Sequence, residues 1–222
     1  FYLDYVARTS EFRVTIYDGS SHRVVGPEEI VGTFDRLFSN SPLMLPFWNA
    51  HSLLLMTYYI SSSKLRSRGL RFEAIADDSI GGLLTGHLFN TMGLRWRRLS
   101  FSSPMQRLED IKTLLIDRPN IVIAADSHGP YRSVSAGMAR LGRSYNGFIR
   151  PLSLWCDRSF RVFRRIDMVV PIPYSRIVFA IGPEIIARPY SHVKDLQHQL
   201  QTALVNLEAE TRPLVTPRVI GS

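Results

Sequence analysis

Ile121-Val122-Ile123-Ala124-Ala125-Asp126-Ser127-His128-Gly129-Pro130-Tyr131-Arg132 decides the fold class of this chain. Five apolar residues, three of them β-branched, read as a buried strand of a mainly parallel sheet. The run then breaks into an acid, an imidazole, a turn pair and a guanidinium. Ligands of open α/β sheets bind at the carboxyl ends of strands, where such loops sit. A helix-like segment, Val134 to Arg143, follows, and a second apolar run, Phe148 to Trp155, comes after it. A purely structural reading is open as well: Asp126 capping the turn and Gly129-Pro130 reversing the chain.

Working outward, Glu11 to Tyr17 and His22 to Val25 flank Asp18-Gly19-Ser20-Ser21 and predict a hairpin. Gly26-Pro27 opens a helical pattern with Ile30, Phe34, Leu37 and Phe38 on one face. Leu43 to Trp48 is a short apolar run holding Pro46, and after Asn49-Ala50-His51 the stretch Ser52 to Ile60 predicts a buried helix. Leu70 to Ala76 and Leu94 to Leu99 read as strands. The helix between them starts at Asp77-Asp78-Ser79 and has Ile80, Leu83, Leu84, His87 and Leu88 on one face. Ser103-Pro104-Met105-Gln106 is a capping-box start, with Met105, Leu108, Ile111, Leu114 and Leu115 as its stripe. Ser175 to Ile181 is another strand, and Val193, Leu196, Leu200, Ala203, Leu204 and Leu207 mark a long amphipathic helix. Alternating strands and helices predict an α/β fold, one domain over residues 1–222, with a mainly parallel central sheet flanked by helices.

The chain's 222 residues suffice for a proper core. Its lone cysteine, Cys156, cannot form an intrachain disulfide and reads as a small core residue. The net charge of +8 comes mostly from arginine, clustered at 64–68, 95–98 and 158–165, and calls for an anionic partner. No apolar run is long enough to span a bilayer. The chain opens at Phe1 with no initiator methionine, which leaves room for a membrane anchor ahead of it. There is no Gly-x-Ser-x-Gly elbow, no zinc-type spacing, no P-loop or dinucleotide fingerprint and no RNP motif. Those absences weigh against serine hydrolase, metal, NTPase and RNA-binding classes. Of six histidines, His22, His192 and His198 fall on surface elements. His51 stands where an apolar run breaks before a helix, as a base at a cleft mouth would, or as a packed histidine.

Leu45-Pro46-Phe47-Trp48-Asn49-Ala50-His51, the block Ile121 to Arg132, Gly137-Met138-Ala139-Arg140-Leu141 and Ile149-Arg150-Pro151-Leu152 together resemble the lysophospholipid acyltransferase superfamily. The likeness is greatest to its bacterial branch of unknown function and spans about residues 12–185. That branch has a Trp-His-Gly segment after a first strand, then an apolar strand ending in Asp-Gly-Pro-Arg-Gly-Pro-Arg. The resemblance implies an acyltransferase-like fold. It also implies transfer of a fatty acyl group from a coenzyme A or acyl-carrier-protein thioester to a hydroxyl of a lysophospholipid or related anionic lipid. No bound cofactor or metal is implied; the thioester is a co-substrate. The setting would be peripheral, at the cytoplasmic face of a membrane, and nucleic acid is not the expected partner.

On that resemblance His51 would be the general base, a role worth typically 10²–10⁴-fold for an imidazole. Asp78, or else Asp77, would orient it, because the superfamily's acid five residues on is here Met56. Asp126, His128, Gly129, Pro130 and Arg132 would form the acceptor-site loop, and Arg98 would bind phosphate. The sequence departs from the pattern elsewhere too: two residues are inserted between Trp48 and His51, Ser127-His128 replaces Gly-Pro, and one residue is missing before Gly137. Two rival classes follow. One is a non-catalytic lipid- or acyl-carrier-binding protein on the same fold. The other is a basic nucleic-acid binder, which charge alone favours.

Overall fold

The computed structural model describes residues 2–18, 21–26, 29, 32–33, 36–37, 42–62, 72–77, 80–91, 94–100, 103–117, 119–127, 130–162 and 167–215. The chain begins with α1 (Tyr2–Thr9), β1 (Glu11–Asp18), β2 (Ser21–Val25), β3 (Leu43–Phe47), a 3-10 turn (Asn49–His51) and α2 (Ser52–Ser61). Next come β4 (Phe72–Asp77), α3 (Ile80–Thr91), β5 (Arg95–Leu99), α4 (Pro104–Asp117), β6 (Asn120–Ala124) and α5 (Ala136–Tyr145). The remainder is β7 (Phe148–Ile149), β8 (Leu152–Cys156), β9 (Ser159–Val162), β10 (Met168–Pro171), β11 (Arg176–Ile181), β12 (Ile185–Ile186), α6 (Val193–Thr211) and a closing 3-10 turn (Arg212–Leu214). Most of the segment expected to be helical from Gly26-Pro27 onward lies outside the described residues.

The fold is mixed α/β around a six-stranded sheet ordered β12-β7-β3-β6-β4-β5, parallel except for β12. Its central strands are apolar on both faces because both are covered. Leu43, Leu45, Phe47 and Val122 face α2 and the second sheet, while Met44, Ile121 and Ile123 face α4, α5 and α6. The predicted parallel sheet and the hairpin of β1 and β2 are both present.

The sequence reading did not anticipate a second sheet, ordered β2-β1-β11-β8. Pro151 explains the division. The β7 ladder on β3 ends where the Arg150 amide donates to the Met44 carbonyl, and Pro151 has no N–H to continue it. The Pro151 carbonyl accepts from the Gly182 amide, and β8 then pairs antiparallel with β11. One proline thus hands the chain from one sheet to the next.

Two predicted helix faces are corrected. On α3, Leu83, His87 and Leu88 are exposed, and Gly86 and Phe89 are buried instead. A Cβ at Gly86 would run into the Trp96 ring, so the large indole on β5 dictates a small-residue face on the helix above it. On α4 the Ser103 hydroxyl caps the Gln106 amide as the capping box predicts (3.3 Å). Met105 and Leu108 overhang into solvent, however, and the packing stripe is Ile111, Leu114 and Leu115. Leu114 is fully buried whereas Met105 is 72% exposed. Leu114→Ala is therefore expected to cost about 2–5 kcal/mol and Met105→Ala less than about 0.5 kcal/mol, measured by urea denaturation. No helix among the described residues is long and apolar enough to cross a membrane.

Candidate functional site

The site lies where β3 and β8 diverge. Met44 presents its backbone polar groups toward β7, so Pro46, two residues on, faces the gap beyond it and brings no N–H. Across the gap the free edge of β8 points the Leu154 amide outward, and Nδ1 of His51 accepts from it at 3.5 Å. The 3-10 turn closed by the His51 amide on the Trp48 carbonyl (2.8 Å) delivers the ring there. His51 fills the opening between the two sheets, is completely buried, and meets the Trp155 ring edge-on at 5.7 Å.

Asp126 fixes the loops around it. One carboxylate oxygen accepts from the Asn49 amide (2.8 Å) and the other from the Arg132 amide (3.0 Å). The first bond ties the turn carrying His51 to the end of β6; the second holds Arg132 at φ 55°, a left-handed conformation that most side chains avoid. From α6, Gln201 adds a bond to the Arg132 carbonyl (3.0 Å) and accepts from the Val134 amide (2.7 Å). Both oxygens of Asp126 are thereby committed to backbone, so this residue positions the loop.

Arg132 reaches toward α6 and pairs with Glu208 at 2.6 Å. Two more arginines gather nearby, each over the Trp155 ring: Arg161 of β9 at 5.5 Å and Arg212 after α6 at 5.3 Å. Arg161 also pairs with Asp167, which accepts from the Tyr131 hydroxyl at 3.2 Å. Arg132, Arg161 and Arg212 all act on the carboxyl of Glu208, pulling its pKa down, yet its burial on the inner face of α6 outweighs them and raises it. Three cations, one aromatic floor and one buried carboxylate make a basic mouth, with side-chain exposures of 32% at Arg132 and 39% at Arg161.

His51 lies beneath that mouth as a neutral ring. Burial first, and then the charges of Arg132 and Arg161, lower its pKa from 6.5 to about 3. Because Nδ1 accepts from a backbone amide, the ring proton of the neutral form sits on Nε2. That nitrogen is buried and, like Nε of Arg132 and the hydroxyl of Ser153, has no hydrogen-bond partner among the described residues. In this tautomer no nitrogen lone pair faces the mouth.

Among the residues singled out from sequence, the structure brings together His51, Asp126 and Arg132. Pro130 is exposed in the turn leading to Arg132. Asp78, His128 and Gly129 lie outside the described residues. No carboxylate among the described residues lies within hydrogen-bond reach of His51. Asp77, two strands from β3, packs its carboxyl against Gly82 in the first turn of α3. Arg98 is exposed on the edge strand β5, three spacings or roughly 14 Å from β3, and does not join the cluster. Cys156 is the core residue expected, with its thiol pushed up to about 11 by burial. Sequence reasoning missed Trp155, Arg161, Glu208 and Arg212. The one local signal was Glu208, an acid at the i+4 position after Leu204 on the apolar stripe of α6.

Other openings add little to the mouth. An apolar slot between the sheets, lined by Leu45, Leu55, Tyr58, Phe72 and Phe179, encloses about 40 Å³, scarcely more than one water's share of liquid volume. A groove of about 670 Å³ runs along another face of α6 beside Glu184, Asp195 and Glu210, opposite in charge to the mouth. No group of three or more potential metal ligands is found among the described residues. Neither a known protein family nor a curated protein matches the sequence.

Proposed function

We propose that this protein binds the phosphate-bearing headgroup of an anionic lipid at the Arg132, Arg161 and Arg212 mouth, as a peripheral protein at the cytoplasmic face of a membrane. The observation that carries this reading is the convergence of three guanidinium groups from distant parts of the chain at the carboxyl ends of β3, β6 and β8: Arg161 and Arg212 over the Trp155 ring, and Arg132 on Glu208, whose carboxylate all three act on. Guanidinium forks match phosphate oxygens, and the indole beneath them offers a surface for the adjoining apolar part of a lipid. The motif order from Pro46 to Leu152 supports a single-domain, acyltransferase-like fold for this site. His51 supports a non-catalytic role: it is sealed from solvent and turns its lone pair away from the mouth.

A second reading is acyl transfer from a coenzyme A or acyl-carrier-protein thioester to the lipid's hydroxyl. The observation that favours it is the Asp126 clamp, which fastens the His51 turn to the Arg132 loop. It requires the other His51 tautomer and an opened path to the ring.

Cosedimentation with phosphatidylcholine vesicles containing phosphatidic acid tests binding. Arg161→Ala with Arg212→Ala is expected to lose about 2 kcal/mol, roughly thirtyfold in affinity, with the fold retained by circular dichroism. Undiminished binding by that double variant would remove the mouth from the proposal. Adding lysophosphatidic acid and acyl-CoA to the wild-type protein separates the two readings. Acylated product that disappears in His51→Ala establishes transfer; complex without product establishes binding alone.

A further inference from the structure

Glu208 is an acid where the fold has least reason to keep one. It lies on the buried stripe of α6 with Leu200, Leu204, Leu207 and Thr211, yet its carboxylate meets Arg132 at 2.6 Å and feels Arg161 and Arg212 as well. Its removal from water is costly, and replacement of buried ion pairs by apolar residues is often stabilising, so fold stability alone does not explain its presence. The donors around it also outnumber what it accepts. The buried Nε of Arg132, whose Nη2 is the one that meets Glu208, has no hydrogen-bond partner among the described residues. A carboxylate brings two oxygens, whereas a phosphate monoester brings three of higher charge.

We propose that the carboxylate of Glu208 holds, in the ligand-free protein, the place that a ligand's phosphate group takes between Arg132, Arg161 and Arg212. Binding exchanges the internal ion pair for an external one. The C-terminal helix thus keeps the basic mouth occupied until a phosphate-bearing ligand displaces its acid. This rests on the phosphate-binding reading above and adds a competitor built into the fold. The ligand chemistry is a phosphate monoester, whether on a lipid or free in solution.

The test is Glu208→Gln, which keeps shape and hydrogen bonding but removes the charge. Glu184→Gln, an acid paired with Arg150, removes the same charge elsewhere. Binding of phosphatidic acid vesicles by Glu208→Gln is expected to tighten on the order of tenfold, against less than about twofold for Glu184→Gln. The same gain with inorganic phosphate would identify the phosphate alone as the ligand; a gain confined to vesicles would identify the lipid. Equal gains in both variants, or none in Glu208→Gln, overturn the proposal while leaving the Arg161 and Arg212 result untouched. Binding by neither variant nor the wild type overturns this proposal and the parent reading together. Should Glu208→Gln not fold, the wild-type protein decides by NMR. The Arg132 Nε–H resonance is expected to move on saturation with short-chain phosphatidic acid or inorganic phosphate. A resonance unmoved at saturation by both ligands refutes the exchange.

Discussion

Replacing His51 with glutamine is expected to flatten the acid limb of the stability profile. In the folded chain the imidazole pKa is lowered from 6.5 to about 3 by burial and by the fields of Arg132 and Arg161. The unfolded chain therefore binds a proton that the folded chain refuses. Stability from this source is intact above about pH 6.5 and is lost progressively as pH falls toward about 3, at roughly 1.4 kcal/mol per pH unit. Between pH 7 and pH 4.5 the wild-type protein should lose about 2–3 kcal/mol that His51→Gln does not lose. Glutamine is polar and does not titrate, so the difference between the two proteins in stability lost with pH reports the titration of the ring. Urea denaturation of both proteins at the two pH values measures it. Parallel losses would mean that the ring is hydrated or charged in the native state.

The same reasoning links acid stability to ligand. A phosphate held at Arg132 and Arg161 cancels part of the field that makes protonation of His51 unfavourable, so bound phosphate should reduce the extra acid sensitivity. The ligand stabilises the folded state by mass action besides. For acyl transfer the consequence is direct: an imidazole with a pKa of about 3 is a weak base at neutral pH, and a phosphate at the mouth relieves the arginines' share of that lowering but not the larger share due to burial. Charge at the mouth and basicity beneath it are coupled through some of the same arginines.

Much of the frame was legible in the sequence because local pattern and tertiary role coincide there. The apolar run Ile121 to Ala125 reads as buried on both faces and is so for most of its length. The Ser103 cap depends on residues within one turn. The division into two sheets was not legible, because Pro151 acts as a switch only in relation to Met44 and Gly182, far from it in sequence. Nor was the mouth: Arg161 and Arg212 meet over Trp155, with Arg132 beside them on Glu208, by virtue of topology, and no local spacing signals it. His51 drew attention through its position at the end of an apolar run. Its burial depends on the gap left by Pro46 and on the β8 edge, which a linear reading does not bring together.

Asp126→Ala is expected to be among the most disruptive single substitutions outside the apolar core. The carboxylate accepts two backbone amides, from Asn49 and Arg132, and is 7% exposed. Hydrogen bonds to a charged group contribute about 1.5–3 kcal/mol each, and the amides left behind are shielded from water. Part of that is offset by no longer burying a charge, which leaves a net loss of about 3–4 kcal/mol. The damage should be local before it is global. Without the clamp, the left-handed backbone at Arg132 keeps the Gln201 bond and the side-chain pair with Glu208 but loses its amide's acceptor, and the Asn49 amide of the His51 turn is no longer tied to Asp126. Amide exchange at Asn49 and Arg132 should therefore rise more than exchange in the β1–β11 ladder, and vesicle binding through Arg132 should weaken in step. Asp126→Asn makes the sharper comparison. Its single carbonyl oxygen can serve one of the two amides while its NH2 confronts the other, so about half of the loss should remain. An asparagine variant as stable as wild type, with both amides still protected, would show that the two loops are held by packing and not by the carboxylate.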